Sequence, residues 1–442
     1  MPLTSCRDNV ADRPATYRER REVEHEDATG MRITLLAAGT QGDVNLFVAL
    51  ALGLKESGHQ ARLAVPGNGA FQLNSIPLEV CALTGHADDM MASVRGRKWL
   101  AADAKSYKQA LAWLSHDRRH DRQRDLLEAC MDSDALLFHP AYAYEAAVLS
   151  EKLQKPLLFL CPFPCKPAAA GFGSIFAGAH TRRKRADANE WRSRLGLAPC
   201  LRHFPKSLEQ QRIPMLHAYS PNLAPLPGEW GRHHYQPGAI QSNRHRAFRG
   251  DAQAEVELRR WLDEGGDRPL VFFGYDRMPL PDMGTVTAMV ASIAKQLDIR
   301  AVVATGDLPN AAASPESPES VYIAAAVDCR GLFPRCACAV HHGGAEMTHL
   351  AAAAGIPSIV VSAFDEEAGW GERLEALGIG RHVPYAEMTQ EQLLAAIRDV
   401  LHGPARRRSE LIGQRVRSEN GLHASLAWLE QALLAAPVYR NE

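Results

Sequence analysis

Neither sign of charge dominates this chain: 50 Lys and Arg stand against 51 Asp and Glu, a formal net charge of -1. With no global field to gather a polyanion or an anionic surface, charge recognition must be local, and nucleic acid is not expected as a partner. Long apolar runs are missing too. The longest, around Leu157 to Pro164 and Cys336 to Val340, fall far short of the roughly 20 residues that cross a bilayer. No transmembrane segment is expected, which leaves room only for peripheral membrane contact. The nine cysteines (Cys6, Cys81, Cys130, Cys161, Cys165, Cys200, Cys329, Cys336, Cys338) contain no C-x-x-C pair and no regular framework, pointing to a reduced, cytoplasmic chain. Cys336 and Cys338 are expected to share one face of a strand as core residues. Met1 to Gly30 lacks the apolar centre of a secretory signal and carries too many acids for a transit peptide. It reads as a mobile tail, dispensable or an upstream-start extension, because Met31 stands directly before the first strand-like run.

Apolar material is ample, at 46% of 442 residues, enough for about two or three domains and so for a multi-lobed enzyme. Arg32 to Ala38 is a short apolar stretch that ends in Gly39-Thr40-Gln41-Gly42-Asp43, and Val44 to Ser57 is then helix-periodic: strand, glycine turn, helix. Further runs at Ala61 to Val65, Ala135 to Phe138 and Pro156 to Cys161 alternate with helical spacing, which predicts a parallel sheet covered on both faces. Ser220 to Gly238 holds Pro221, Pro225, Pro227, Gly228, Gly231, Pro237 and Gly238 and is expected to be an interdomain linker. Alternation restarts at Leu270 to Phe273, Ala301 to Ala304, Val321 to Val327, Ala337 to His342 and Ser358 to Ala363, giving a second doubly wound domain. Asn310 to Ser320 reads as a surface loop. The expected division is a tail at 1–30, an N-terminal Rossmann-like domain at 31–220, a linker at 221–238, a C-terminal Rossmann-like domain at 239–420, and a helix at 421–442 packing back toward the N-terminal domain.

In open parallel sheets ligands bind beyond the carboxyl ends of strands, so two strand-to-helix loops are the candidate sites. In the first, glycines let backbone approach a ligand and Asp43 falls at the helix start, as a cap or as a catalytic carboxylate facing a ligand. The second is His341-His342-Gly343-Gly344-Ala345-Glu346-Met347-Thr348-His349, whose glycine-opened helix start suits phosphate. His341 and His342 are adjacent, so only one can face the ligand. Their spacing does not suit a two-histidine metal site. The clusters Arg118 to Arg122, Arg182 to Arg185 and Arg406 to Arg408 are expected to be solvated surface.

Both loops, their order and their separation resemble a GT-B glycosyltransferase of the family containing bacterial antibiotic glycosyltransferases, sterol glucosyltransferases and rhamnolipid rhamnosyltransferases. Gly39-Thr40-Gln41-Gly42-Asp43-Val44 resembles the family's G-S-x-G-D-V turn. Leu332-Phe333-Pro334-Arg335 and His341-His342-Gly343-Gly344-Ala345 resemble its L-F-P-R and H-H-G-G-A-G-T-T elements, and Gly369-Trp370-Gly371-Glu372-Arg373 resembles its F-W-G-E-R. The resemblance spans Met31 to about Leu434 and implies two doubly wound α/β domains facing each other across a cleft. It implies a sugar moved from a UDP- or dTDP-linked donor to a hydroxyl, by direct displacement with inversion, with no metal and no cofactor. Asp43 would be the base; His342, Gly343, Gly344, Ala345 and Thr348 would cradle the diphosphate; Val327 would meet the nucleotide base. Thr40, Gly42, His139, Tyr142 and Phe163 would line the acceptor side, for a hydrophobic natural-product or lipid acceptor, with His139 either assisting or packed.

The chain also departs from that pattern. The family's G-T after H-H-G-G-A is Glu346-Met347, so a carboxylate that points inward would repel the donor. Its G-F-G-S is Gly274-Tyr275-Asp276-Arg277, and Arg277 can clamp a diphosphate in two-pronged fashion. The Asp-Gln pair for sugar hydroxyls aligns with Glu366-Glu367, and Gly331 replaces an aromatic near the base. The alternatives left open are an unusual donor such as an amino sugar, a decayed homologue serving as a binding or partner subunit, and a sugar-nucleotide epimerase on the same fold.

Overall fold

The computed structural model describes residues 30–38, 41–67, 73, 76–84, 116, 118–164, 181–200, 204–240, 252–274, 283–305, 319–363 and 365–441. The first half contains β1 (Arg32–Leu36), α1 (Gln41–Glu56), β2 (Gln60–Pro66), β3 (Glu79–Leu83), α2 (Arg119–Cys130), β4 (Ala135–Phe138), α3 (Ala143–Leu153), β5 (Leu157–Cys161), α4 (Thr181–Arg194), α5 (Phe204–Gln210), β6 (Met215–His217) and β7 (His234–Tyr235). The second contains α6 (Ala252–Asp263), β8 (Leu270–Gly274), α7 (Met283–Leu297), β9 (Arg300–Ala304), β10 (Val321–Ala324), α8 (Cys329–Leu332), β11 (Cys338–His341), α9 (Ala345–Ala354), β12 (Ser358–Ser362), α10 (Asp365–Ala376), β13 (Gly380–Pro384), α11 (Gln390–His402), α12 (Ala405–Ser418) and α13 (Gly421–Ala435).

The first seven strands form one parallel sheet in the order β3-β2-β1-β4-β5-β6-β7, and the remaining six form another, β10-β9-β8-β11-β12-β13. The expected pair of doubly wound α/β domains is therefore present. Sheets covered on both faces read as continuous apolar runs, and Leu157 to Cys161 is wholly buried. Alternation sorts each strand between two layers. Ile33 and Leu35 pack with α1 and α13, whereas Leu36 packs with residues of α2 and α3. Each sheet reverses its strand order once, between β1 and β4 and between β8 and β11. The two motif-bearing loops leave the sheets at these switch points, where an open α/β sheet leaves a crevice.

A single carboxylate gathers the two places where the chain crosses between halves. Ser220 Oγ and Asn222 Nδ2 donate to Glu419 Oε1, the latter at 2.8 Å, and the Ala239 N–H donates to Oε2 at 2.9 Å. The crossings approach so closely that a Cβ on Gly421 would lie 2.3 Å from the Ala239 carbonyl oxygen. Gly238 has φ +121°, a left-handed conformation that favours glycine. Beyond Glu419, α13 returns to the first half: Leu426 meets α1 at Gly53, Glu430 pairs with His59 at 3.0 Å, and Trp428 stacks on Tyr235. Val438 then pairs with Pro156, and Tyr439 is buried beside Ser150 and Ser207.

Several expectations need correction. The Pro- and Gly-rich stretch 221–238 is more than a connector, since β7 lies inside it and Leu223 and Ala224 are buried against Trp370 and Val360. The run expected to reach Val327 ends as a strand at Ala324. Cys336 and Cys338 are both core, but they serve opposite faces, because Cys336 precedes the strand and escapes its alternation. The cluster at Arg118 to Arg122 is not all solvated: Arg122 is buried and Arg119 joins α4 through Glu190 at 3.0 Å. No disulfide joins any two of the seven described cysteines. Among the described residues no helix is long and apolar enough to cross a membrane. The tail 1–29, Cys6, Cys165 and most of the loop 310–320 lie outside the described residues.

Arg62 on β2 has a buried guanidinium that donates to the Ala129 carbonyl at 2.6 Å, to Asp132 and to Glu79. Burial alone would raise the Asp132 carboxyl, but the Arg62 and Arg32 guanidiniums prevail and hold it well below the usual carboxylate range. Asp132→Asn is expected to cost about 2 kcal/mol in urea unfolding, less than for a fully buried pair because Asp132 is 23% exposed. A depressed folded-state pKa means that the wild type's advantage is complete above the unfolded carboxylate's value of about 4 and shrinks as the pH falls below it. An advantage that stays constant from neutral to acid pH would refute this assignment.

Candidate functional site

The first side of the site is built on the carboxyl ends of β1, β4 and β5. After β1 the chain passes Gly39 and Thr40, which lie outside the described residues, and enters α1, whose first turn carries Gly42 and a half-buried Asp43. Phe47 lies four residues on, one helical turn further along the same side. Its ring approaches His139, centroids 6.2 Å apart, and His139 meets Phe163 edge-on at 5.8 Å. The His139 N–H donates to the Leu36 carbonyl at 2.9 Å, which ties the loop after β4 to the end of β1. His139 Nδ1 accepts the Ala141 N–H at 3.1 Å, and Nε2 has no hydrogen-bond partner among the described residues. Burial, helped by the Lys184 charge, pushes its pKa down to about 3, so the imidazole is neutral at physiological pH. Tyr142 is partly buried and packs against the apolar cluster that also contains Phe163. The structure thus brings Asp43, Phe47, His139 and Phe163 to the carboxyl ends of these strands.

The second side is the turn from β11 into α9. His341 is fully buried, its Nδ1 accepts the Gly343 N–H at 3.1 Å, and burial with the neighbouring His342 lowers its pKa to about 3. It braces the turn from within. Gly343 has φ +93°, and a Cβ there would sit 2.7 Å from Val360 Cγ1 and 3.0 Å from the Glu367 carbonyl. A Cβ on Gly344 would lie 2.5 Å from His342 Nε2, so the imidazole lies against the backbone of the turn. Gly344 is the N-cap of α9 and no side chain caps it. The first N–H groups of α9 are therefore directed at the mouth of the turn, which is the arrangement that holds anions. Ala345 is buried beneath, Met347 packs toward Phe272, and the buried Thr348 hydroxyl has no partner among the described residues.

Three further candidates differ in outcome. Glu367 Oε2 accepts the Ala363 N–H at 2.7 Å and so secures the turn into α10; the side chain of Glu366 lies outside the described residues. Val327 is partly buried, and its carbonyl accepts the Cys329 thiol at 3.6 Å. Arg277 and the rest of 275–282 lie outside the described residues.

The two sides meet. Asn45 Nδ2, in the opening turns of α1, donates to Glu346 Oε1 at 3.1 Å and to Oε2 at 3.2 Å, in the first turn of α9. Glu346 is thus engaged across the gap. Burial raises its pKa above the ordinary carboxylate value, opposed by the Asn45 hydrogen bonds and the Arg330 charge. Behind α9, His349 Nδ1 donates to the Ala345 carbonyl at 2.6 Å and its Nε2 accepts the Ser220 N–H at 3.0 Å. Trp370 meets both Tyr219 and His349 edge-on. The Trp of the Gly-Trp-Gly-Glu-Arg segment is thereby a wedge between the halves. Sequence reasoning missed Asn45, His349, Ser220 and Glu419, because their partners lie 129 to 301 residues away. Only Asn45 had a local signal, two positions after Asp43.

Comparison with known proteins agrees with this architecture. The "Glycosyltransferase family 28 N-terminal domain" matches residues 33–157, and the "Erythromycin biosynthesis protein CIII-like, C-terminal domain" matches residues 288–424. A sterol 3-beta-glucosyltransferase of Arabidopsis thaliana is 27% identical over 427 residues, covering 90% of this chain and 67% of the plant protein. The chain spans about two thirds of that relative's length, and 26% of a sterol 3-beta-glucosyltransferase of Cryptococcus neoformans. Among solved structures, the calicheamicin glycosyltransferase superposes with a TM-score of 0.68 at 14% identity, covering 92% of this chain and 98% of that one. A spinosyn rhamnosyltransferase complexed with thymidine diphosphate gives 0.63 at 18% identity, covering 90% and 100%. With the glycosyltransferase family 28 N-terminal model and the erythromycin CIII-like C-terminal model matched in that order on two Rossmann-like sheets, the chain is a glycosyltransferase with the GT-B fold.

Proposed function

We propose that this glycosyltransferase moves a sugar from a nucleotide diphosphate sugar to the hydroxyl of a hydrophobic small molecule, by direct displacement with inversion at the anomeric carbon. The observation that carries the reading is the Asn45–Glu346 contact, which sets the opening turns of α1 against the uncapped start of α9. In this reading residues 31–220 hold the acceptor and residues 239–420 the donor. Asp43 takes the proton of the acceptor hydroxyl as the oxygen attacks, a role for which its place at a sheet switch point is suited. The bond from the anomeric carbon to the diphosphate breaks, and the α9 N–H groups at Gly344 to Glu346 meet the charge that develops on the departing oxygens. His342, lying against Gly344, adds a further polar group to that cradle. The thymidine diphosphate bound to the spinosyn rhamnosyltransferase supports a dTDP- or UDP-linked donor.

On the acceptor side, Phe47, Phe163 and the neutral His139 form a buried apolar layer with a single polar nitrogen. An acceptor site floored by that layer suits a sterol-like, polyketide or comparable alcohol. The plant sterol glucosyltransferase supports the same class.

Asp43→Asn is expected to lower turnover at least about a hundredfold, the lower range for a lost general base, with donor affinity kept. Mass spectrometry of acceptor mixtures incubated with mixed donors supplies the assay, and wild-type turnover by the variant would end this assignment. Calorimetry with a panel of UDP and dTDP sugars tests the donor half. Binding of no donor by the folded protein would favour a non-catalytic partner subunit.

Glu346 makes donor binding pH-dependent. Its raised pKa leaves a larger neutral fraction than an ordinary carboxylate has, and the neutral form does not repel a diphosphate. Donor affinity is expected to fall as the pH rises above the ordinary carboxylate range, and Glu346→Gln should flatten that slope. An unchanged slope in the variant would show that Glu346 does not face the diphosphate.

A further inference from the structure

Away from the cleft, on the outer edge of the first sheet, three side chains converge on one point. Glu209 at the end of α5, His233 just before β7, and His234 within β7 present ligand atoms that all lie within 4.8 Å of one another. Glu209 Oε2 is 3.2 Å from His233 Nε2 and 3.2 Å from His234 Nε2. We propose that Glu209, His233 and His234 form a Zn²⁺ site that clamps the edge strand β7 onto α5.

Four observations carry this assignment. The first is spacing. Ligand atoms about 2.0–2.1 Å from a tetrahedral zinc are about 3.3 Å apart, which the two Glu–His separations match. A charge-assisted hydrogen bond between imidazole and carboxylate closes further, to about 2.7–2.9 Å. The second is donor chemistry: two imidazoles and one carboxylate suit zinc, whereas magnesium and calcium take oxygen ligands. Three protein ligands leave a fourth position, which the 40% exposure of Glu209 opens to water.

The third is the outer layer around the ligands. A metal-bound histidine usually directs its other ring nitrogen at a fixed partner. His234 Nδ1 lies 3.0 Å from His217 Nε2, and His217 Nδ1 lies 3.3 Å from the Tyr219 hydroxyl, all buried. This relay accommodates the metal by a change of tautomer. With zinc on its Nε2, His234 donates from Nδ1 to His217 Nε2, and His217 donates from Nδ1 to the Tyr219 oxygen. The fourth observation is convergence. His233, which precedes the strand, and His234, within it, have rings 4.4 Å apart and share Glu209. Trp230 packs over His234 at 4.4 Å and supplies an apolar lid.

The site has a structural consequence. β7 has only two residues, and the chain leaves it directly for the crossing at Gly238 and Ala239. Tyr219, at the far end of the relay, rests on Trp370 of the second half. A metal at Glu209 fastens this segment where backbone pairing alone is short.

The test uses the full-length protein, stripped with a chelator, dialysed, and titrated with Zn²⁺ alone. Calorimetry and elemental analysis should give one equivalent of zinc, with a rise of several degrees in Tm, and Mg²⁺ should produce neither. His233→Ala and Glu209→Gln should each weaken zinc binding by at least about tenfold. Glu209→Gln keeps an oxygen acceptor for the imidazoles, so it retains the fold even if His233→Ala does not. Co²⁺ in place of zinc should give the intense visible absorption of a four-coordinate ion in the wild type and lose it in Glu209→Gln. Absence of saturable zinc binding at micromolar concentration, or binding of equal stoichiometry and affinity in Glu209→Gln, would overturn the proposal.

Discussion

The carboxylate of Glu419 is the constraint on which the two-lobed arrangement turns. One oxygen accepts from Ser220 and Asn222 on the outgoing crossing, the other from the Ala239 backbone after that crossing, and Glu419 itself begins the return. Each half has its own parallel sheet and its own apolar layers, and a further apolar cluster joins them, with Tyr219, Leu223 and Ala224 packed against Ala345, Val360 and Trp370. A few polar atoms fix the relation of the halves around that cluster. Glu419 collects the crossings, His349 ties α9 to Ser220, and Trp370 fills the space between. Glycine is required at 421 because the backbone at Ala239 passes closer than any side chain allows, and at 238 because the chain turns there with a left-handed φ of +121° beside the Glu419 side chain.

That junction brings two chemically different helix starts together. The first turn of α1 carries a carboxylate, and the first turn of α9 carries N–H dipoles that no N-cap side chain covers, behind a glycine turn that admits no Cβ. One suits the removal of a proton and the other suits the arrival of negative charge. The Asn45–Glu346 pair joins them across the gap and makes the altered residue of the H-H-G-G-A segment a bridging group. A carboxylate that looks adverse to a diphosphate on inspection of the sequence is, in the fold, drawn toward an amide of the opposite half.

Much of the plan was legible in the residues. Short apolar runs separated by helical spacing marked nine of the parallel strands, and the two glycine turns marked both switch points, because parallel strands must be buried on both faces and their helices must start close to ligand. The strands that escaped were β3, β6, β7 and β13. β3 and β7 are edge strands, β6 has three residues, and β13 carries the half-buried polar pair Arg381 and His382. The Pro- and Gly-rich stretch 221–238 looked like a bare tether because local composition cannot report that Leu223 and Ala224 find Trp370 nearly 150 residues on.

By itself, the sequence determined what each segment is: strand or helix from the period of its apolar residues, and turn from its glycines. Those properties are local, and a stretch of ten or so residues contains all the information they need. Only the tertiary structure decided what each polar side chain does. Glu346 meets Asn45, Glu367 secures a backbone turn, and His233 and His234 converge on Glu209. Direction and partnership depend on atoms far away in the chain, and a hydrogen bond or a ligand sphere exists only once folding has brought its members within about 3 Å.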